Sequence, residues 1–162
     1  MIPSPTRHKW PHERERWAGF YAERLPLQLR QVAAFAAARR DKSDTLRPHF
    51  ESCLTLLEAT TDRHDLSALW LALVDALHPL PLRWGFWSPW LDVLRRAADK
   101  AVELDRPAMR ARYLAHMATL LLDTAQADAA LRSASAALDE AGRAGDGYAL
   151  ALAGSRVVGA LS

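Results

Sequence analysis

The chain has 162 residues with a formal net charge of +2, a length that suits one ordinary domain with its own apolar core. It holds 31 Ala and 26 Leu against only 14 Val, Ile and Thr together, a balance that fills helices and argues against a large sheet. Charged residues are 25% of the chain and half of it is hydrophobic, which excludes a disordered polypeptide.

The charge is uneven. Residues 1–47 carry ten Lys and Arg against five Asp and Glu, and the remainder eleven against fourteen. A basic N-terminal part can meet nucleic acid or an acidic protein face, but Glu13, Glu15 and Glu23 dilute Arg14, Arg16 and Arg24. The single cysteine, Cys53, rules out an internal disulfide and fits a reducing compartment. No apolar h-region follows Met1, and no apolar run reaches the ~18 residues of a membrane span. The expectation is a soluble, cytoplasmic protein without a membrane partner.

In chain order, residues 1–10 read as an extended lead-in. Helical periodicity starts at Pro11 with Trp17, Phe20, Tyr21 and Leu25. Pro26 is expected to kink this helix or to begin a second segment, and Leu29, Val32, Ala33 and Ala36 carry the stripe on to about Arg40. A helix over about 44–60 buries Leu46, Phe50, Cys53, Leu54 and Leu57. The next, over about 65–78, buries Leu66, Leu69, Trp70, Leu73, Val74 and Leu77, with Asp65 as N-cap. His78 to Gly85 break regular structure. Ser88 and Pro89 supply an N-cap and a first helical residue for a helix ending near Leu104, with Trp90, Leu91, Leu94, Ala97, Ala98 and Ala101 inward. Helices follow over about 107–124, 127–143 and 148–161, the last after a Gly145-Asp146-Gly147 turn.

These helices repeat. Ala97, Ala101, Leu104 and Asp105 have counterparts in Ala137, Ala141, Ala144 and Asp146, at an offset of 40 to 41 residues. A small residue lies mid-helix after each turn, Ala118 and Gly159, where two helices can approach closely. A hairpin repeated in this way buries its apolar face only by stacking on a neighbour.

The run Trp84-Gly85, Trp90-Leu91, Leu94, Ala97, Ala101, Asp105, Ala111, Leu114, Met117-Ala118, Ala137-Leu138, Ala141 and Gly145-Asp146 resembles tetratricopeptide (TPR) repeats, in the longer ~40-residue variant rather than the standard ~34. The upstream helices (Trp17 and Tyr21; Leu46, Phe50, Leu54 and Leu57; Leu69, Trp70 and Leu73) resemble the segment that leads into the repeats of bacterial STAND-class signalling ATPases. No Gly-x4-Gly-Lys-Ser/Thr loop is present, so their nucleotide-binding domain is not in this chain. Leu114 and Leu121 replace the usual Trp and Tyr of a TPR first helix. With about one and a half clear repeats, a short stand-alone array and a piece of a longer protein are both open. The resemblance implies an all-α, right-handed superhelical array of antiparallel hairpins: leading helices over 11–82 and clearer hairpins over 83–162.

Little in the sequence carries covalent chemistry. No Gly-x-Ser-x-Gly elbow, Cys-x-x-Cys or dinucleotide fingerprint occurs. His49 and Cys53, four apart on one helix, have the spacing of two metal ligands, with His64 as a third, but a closed zinc site needs four. Cys53 reads instead as a small apolar core residue, and no metal or cofactor is expected.

The expectation is a non-catalytic interaction or sensing module that docks a peptide, helix or partner subunit. The concave face of a TPR array implies Arg110, Tyr113, His116 and Tyr148 as partner-binding residues, with Arg110, Arg112 and Tyr113 able to clamp a carboxylate. Arg83, Trp84 and Trp87 are a second candidate, an aromatic anchor. The loop reads first as a plug between the leading helices and the repeats, with the exposed anchor as the alternative. Apolar residues on several sides of the last helix (Leu150, Leu152, Val157, Val158, Leu161) suggest a homodimer. The competing functional reading is a regulatory protein bound to nucleic acid through its basic N-terminal part, with strongly salt-dependent binding.

Overall fold

The computed structural model describes residues 10–161 other than residue 79, and side chains from Gly19 onward other than Tyr21. The described residues are all-α, without strands. Nearly all of the expected lead-in, and the side chains of Trp17 and Tyr21, lie outside them.

Helix α1 runs unbroken over Trp10–Ala38. Pro26 neither ends it nor starts a second element, although proline removes a ladder hydrogen bond. Burial of Leu29, Ala33 and Ala36 against the rest of the core offsets that loss. The helix expected over 44–60 is instead split by Pro48. A single turn, α2 (Ser43–Leu46), passes through a 3-10 turn at Arg47–His49 into α3 (Phe50–Ala59).

Helix α4 covers Ser67–Leu77 and packs against α1. Asp65 does not cap it. It lies in a 3-10 turn, where its two carboxylate oxygens accept hydrogen bonds from Arg63 Nε and Nη2, both 2.8 Å. A one-turn helix, α5 (Leu80–Arg83), follows in the stretch expected to be irregular.

Helix α6 spans Trp87–Glu103 and begins two residues earlier than the Ser88-Pro89 signal implies. Ser88 makes no capping bond. Pro89 occupies the third helical position, where the missing N–H would be an orphan in any case.

From here the chain is modular. Helices α6, α7 (Pro107–Asp123), α8 (Ala127–Ala144) and α9 (Gly147–Leu161) begin at 87, 107, 127 and 147, an interval of 20 residues each time. The connector recurs too. Asp105, Ala125 and Gly145 all take the left-handed conformation, at φ 51°, 58° and 66°. The following amide then reaches back to a helix carbonyl: Arg106 N to Ala101 O (2.8 Å), Gln126 N to Leu121 O (2.8 Å), Asp146 N to Ala141 O (3.1 Å). This closes each helix as a Schellman motif. The 40-residue repeat of the sequence is thus two copies of a smaller unit. Asp146 then caps α9, its Oδ1 accepting from the amides of Tyr148 and Ala149, both at 3.1 Å.

One apolar cluster runs from Leu29 to Leu120, around the fully buried Phe50, Trp70 and Trp90. It joins the leading helices to α6 and α7. Beyond it the packing switches to alanine. Ala111, Ala141 and Ala149 form one fully buried set, and Ala115, Ala137 and Ala153 another. Three helices therefore meet along a seam of methyl groups. At Gly159 an added Cβ would lie 3.4 Å from Leu122 Cδ1 of α7, so this small residue sits close to the neighbouring helix, and Ala149 and Ala153 of the same helix are fully buried. Among the described residues no helix is long and apolar enough to cross a membrane.

Candidate functional site

A cleft with a volume of about 600 Å³ lies between α7 and α9. Helix α7 gives it one wall, with Met109, Arg112, Tyr113 and His116 on a single stripe. Helix α9 gives the other, with Tyr148, Leu152 and Arg156 at i, i+4 and i+8. The end of α4 closes it with Asp75 and His78, assisted by Arg40 just after α1 and by Leu82 on α5.

The polar groups are fixed by one another. Tyr113 is almost wholly buried and its hydroxyl donates to Asp75 Oδ1 at 2.7 Å. Burial, with Asp75 beside it, holds the phenol well above its ordinary pKa. Burial also raises Asp75, against the pull of the Tyr113 hydrogen bond and nearby arginines. The Arg40 guanidinium donates to the carbonyls of Asp75 (3.0 Å) and His78 (2.6 Å), so it serves the C-terminus of α4.

Two histidines lie ring against ring, His78 and His116, with centroids 3.9 Å apart. Trp90 Nε1 donates to His78 Nδ1 at 3.2 Å, which places the proton of a neutral His78 ring on Nε2. Burial pushes His78 down to about 3, helped by His116 and Arg40. Burial likewise pushes His116 down to about 4, helped by Arg112 and Arg156. Both rings are neutral near pH 7.

No family model matches this chain. No curated protein and no solved structure matches it either.

Of the residues expected to bind a partner, the fold brings Tyr113, His116 and Tyr148 to the cleft, where Tyr148 is 64% exposed. Arg110 is not among the lining residues. It pairs with the buried Glu140 of α8, which also accepts from Arg143 at 2.6 Å. The clamp expected from Arg110, Arg112 and Tyr113 therefore does not form, because those three side chains face different partners. Only Arg112 keeps a weak hold, with its Nε 3.5 Å from Asp146.

Arg83, Trp84 and Trp87 lie away from the cleft. Trp84, Phe86 and Trp90 surround Phe50, with ring centroids at 5.4, 4.8 and 6.0 Å. This is the plug between leading helices and repeats. Trp87 is partly exposed and its Nε1 donates to Leu82 O at 3.0 Å. Arg83 is exposed.

His49, Cys53 and His64 do not converge either. His49 packs edge-on against Phe35, Cys53 is buried with its thiol pushed up by burial, and His64 faces Glu103 at 3.1 Å. Among the described residues no three His, Cys, Asp or Glu side chains group as ligands. On the basic N-terminal part, Arg24 and Arg39 lie over the rings of Phe20 and Phe35.

Sequence reasoning missed Arg40, Asp75, His78 and Arg156 as site residues. A signal existed for one of them. Arg156 is the lone charge in the otherwise apolar and small stretch 147–161, and a cation placed there needs a reason. Asp75 interrupts the apolar α4 in the same way.

Proposed function

We propose that this chain is a non-catalytic binding module, a TPR-like right-handed array of hairpins, whose cleft between α7 and α9 docks a segment of a partner protein. The 20-residue modularity supports the array. Alternate helices, α7 and α9, pack on each other and share the cleft wall, as the concave face of such an array requires.

The observation that carries the docking reading is the cleft itself. Its volume falls in the range of ligand sites, about 300–1,000 Å³. Its walls mix apolar side chains with a few fixed polar groups, and Tyr148 stands exposed at its edge. Recognition sites use such rigid aromatic residues at low entropic cost.

Catalysis has little to work with here. The Tyr113 hydroxyl is bound to Asp75 and the Thr119 hydroxyl donates to its own helix, at Ala115 O, 3.1 Å. Histidines held at about 3 and 4 are weak bases at neutral pH. By its resemblance to repeat regions of signalling ATPases, we place the module in intracellular signalling, and the single free Cys53 suits that setting.

A peptide library selected on the immobilised protein tests this. Selected peptides should bind the wild type with micromolar Kd and lose at least tenfold with Tyr148→Ala. Peptides held equally by both proteins would refute the docking site, as would a library yielding none. Light scattering over a wide concentration range supplies the second readout. A concentration-dependent dimer would assign the exposed Leu150, Val158 and Leu161 of α9 to self-association.

A further inference from the structure

The cleft gathers more cations than its carboxylate answers. Arg40, Arg112 and Arg156 line it, with Asp75 as the lining carboxylate. Arg106 stands beside them, its Nη1 3.7 Å from the Sδ of the lining Met109, and its charge reaches Asp75 and Tyr113. The four cations converge on the cleft floor. Arg40, Arg106 and Arg112 act on Asp75, and Arg112 and Arg156 act on His116 from opposite walls. With both histidines neutral, four guanidiniums face one carboxylate. Asp146 does not line the cleft. With Arg112 assigned to it at 3.5 Å, the excess is still two positive charges.

Donors are left over as well as charge. Arg156 Nε is buried without a partner. His78 lines the cleft with its ring proton on Nε2, since Nδ1 accepts from Trp90.

An excess of two charges selects a dianion. A carboxylate brings one negative charge on two oxygens and leaves half of the excess unmatched. A phosphate monoester carries about −1.5 to −2 at pH 7 on three acceptor oxygens, and guanidiniums grip it through paired N–H bonds. The surroundings suit a phosphate carried by a chain. Tyr148, Leu152 and Arg156 succeed one another along α9, a line about 12 Å long at 1.5 Å per residue. A segment laid along that line reaches Arg156 with an internal side chain while its neighbours rest on aliphatic and aromatic surface.

We propose, building on the docking reading above, that the docked segment is phosphorylated. A phosphoserine or phosphothreonine side chain enters between Arg112 and Arg156, and the flanking residues rest on Leu152, Met109 and Tyr148. Docking thereby becomes conditional on modification of the partner.

The test uses the full chain and a degenerate heptapeptide library, N-acetylated and C-amidated, with a central phosphoserine or phosphothreonine. The same library after phosphatase treatment is the control. Selected phosphopeptides should bind at least tenfold tighter than their dephosphorylated forms by calorimetry, and high salt should shrink the difference. Phosphorus NMR should show the bound phosphate titrating at lower pH than the free peptide, because the cations favour the dianion. Arg156→Gln should remove most of the preference, and Arg156→Lys should restore part of it. Arg112→Gln, at an exposed position on the opposite wall, should act in the same direction, so the test survives a poorly folded Arg156 variant.

Equal affinity with and without the phosphate would overturn the phosphate site while leaving the docking reading intact. Enrichment from neither library would overturn both together. A full preference retained in both Gln variants would overturn the placement between Arg112 and Arg156. Phenyl phosphate or a nucleoside monophosphate binding tighter than every selected phosphopeptide would overturn presentation by a protein segment.

Discussion

Acidification should unfold this protein in a window set by His78 and His116. The rings have ordinary values near 6.5 when unfolded and are pushed down to about 3 and 4 in the fold. The groups facing them are Arg40, Arg112 and Arg156, which repel a proton, and Asp75, which is itself raised by burial. For a base with a lowered folded pKa, the unfolded chain binds more protons in acid. The stabilisation is complete above about pH 6.5 and is lost as pH falls towards the folded values. At about pH 5 the unfolded rings sit some 1.5 units below their midpoint, so each contributes a loss of about 2 kcal/mol, and the pair about 4 kcal/mol. Asp75 takes up its proton early in the fold and returns a fraction of this. Asp65 and Glu103, whose values are lowered by Arg63 and by His64, titrate below the window. Urea denaturation followed by circular dichroism measures the effect. With a slope of about 2 kcal/mol per molar, the midpoint should fall by about 2 M between about pH 8 and pH 5. The double variant His78→Gln/His116→Gln should flatten the profile, and Gln at 78 keeps an acceptor for Trp90. A midpoint shift of less than about 0.5 M in the wild type would refute the reasoning, since two neutral half-buried rings cannot then be what the fold holds.

Three further outcomes follow from the modular half. Ala125 sits at φ 58°, where a Cβ is strained, so Ala125→Gly should raise stability by about 1 kcal/mol; a lower melting temperature would contradict the Schellman connector there. Glu140→Ala should cost about 2 kcal/mol in urea denaturation. It leaves Arg110 and Arg143 without their shared carboxylate, and both are exposed enough to hydrate; an unchanged midpoint would show that the α7–α8 pair contributes nothing. Ala137→Leu forces three methylene-sized groups into the seam against Ala115 and Ala153 and should cost about 3 kcal/mol. Tolerance of that change would mean the helices are not held at alanine distance.

Helix existence was legible because periodic apolar residues report which face is buried. The spans 107–124, 127–143 and 148–161 agree with α7, α8 and α9 to within a residue at each end. Cap positions were less legible. Ser88 and Asp65 carry capping side chains, yet the helix after each starts elsewhere. A cap is one hydrogen bond, and the packing of Trp90 or the pairing with Arg63 outweighs it. The 20-residue module was hidden because only one of its three left-handed positions is a glycine.

The sequence by itself determined that this is an all-helical protein, with the polar residues that its later helices carry. Those properties depend on composition and local periodicity, which are written along the chain. Only the tertiary structure decided what each polar residue does. It turned Arg110 to Glu140 and Tyr113 to Asp75, set the His116 ring against that of His78, and left Arg156 Nε without a partner. Each of these pairings joins residues 30 or more positions apart or, for Arg156, depends on the absence of one. Charges so distant in sequence meet only after the alanine seam has fixed how closely the helices lie.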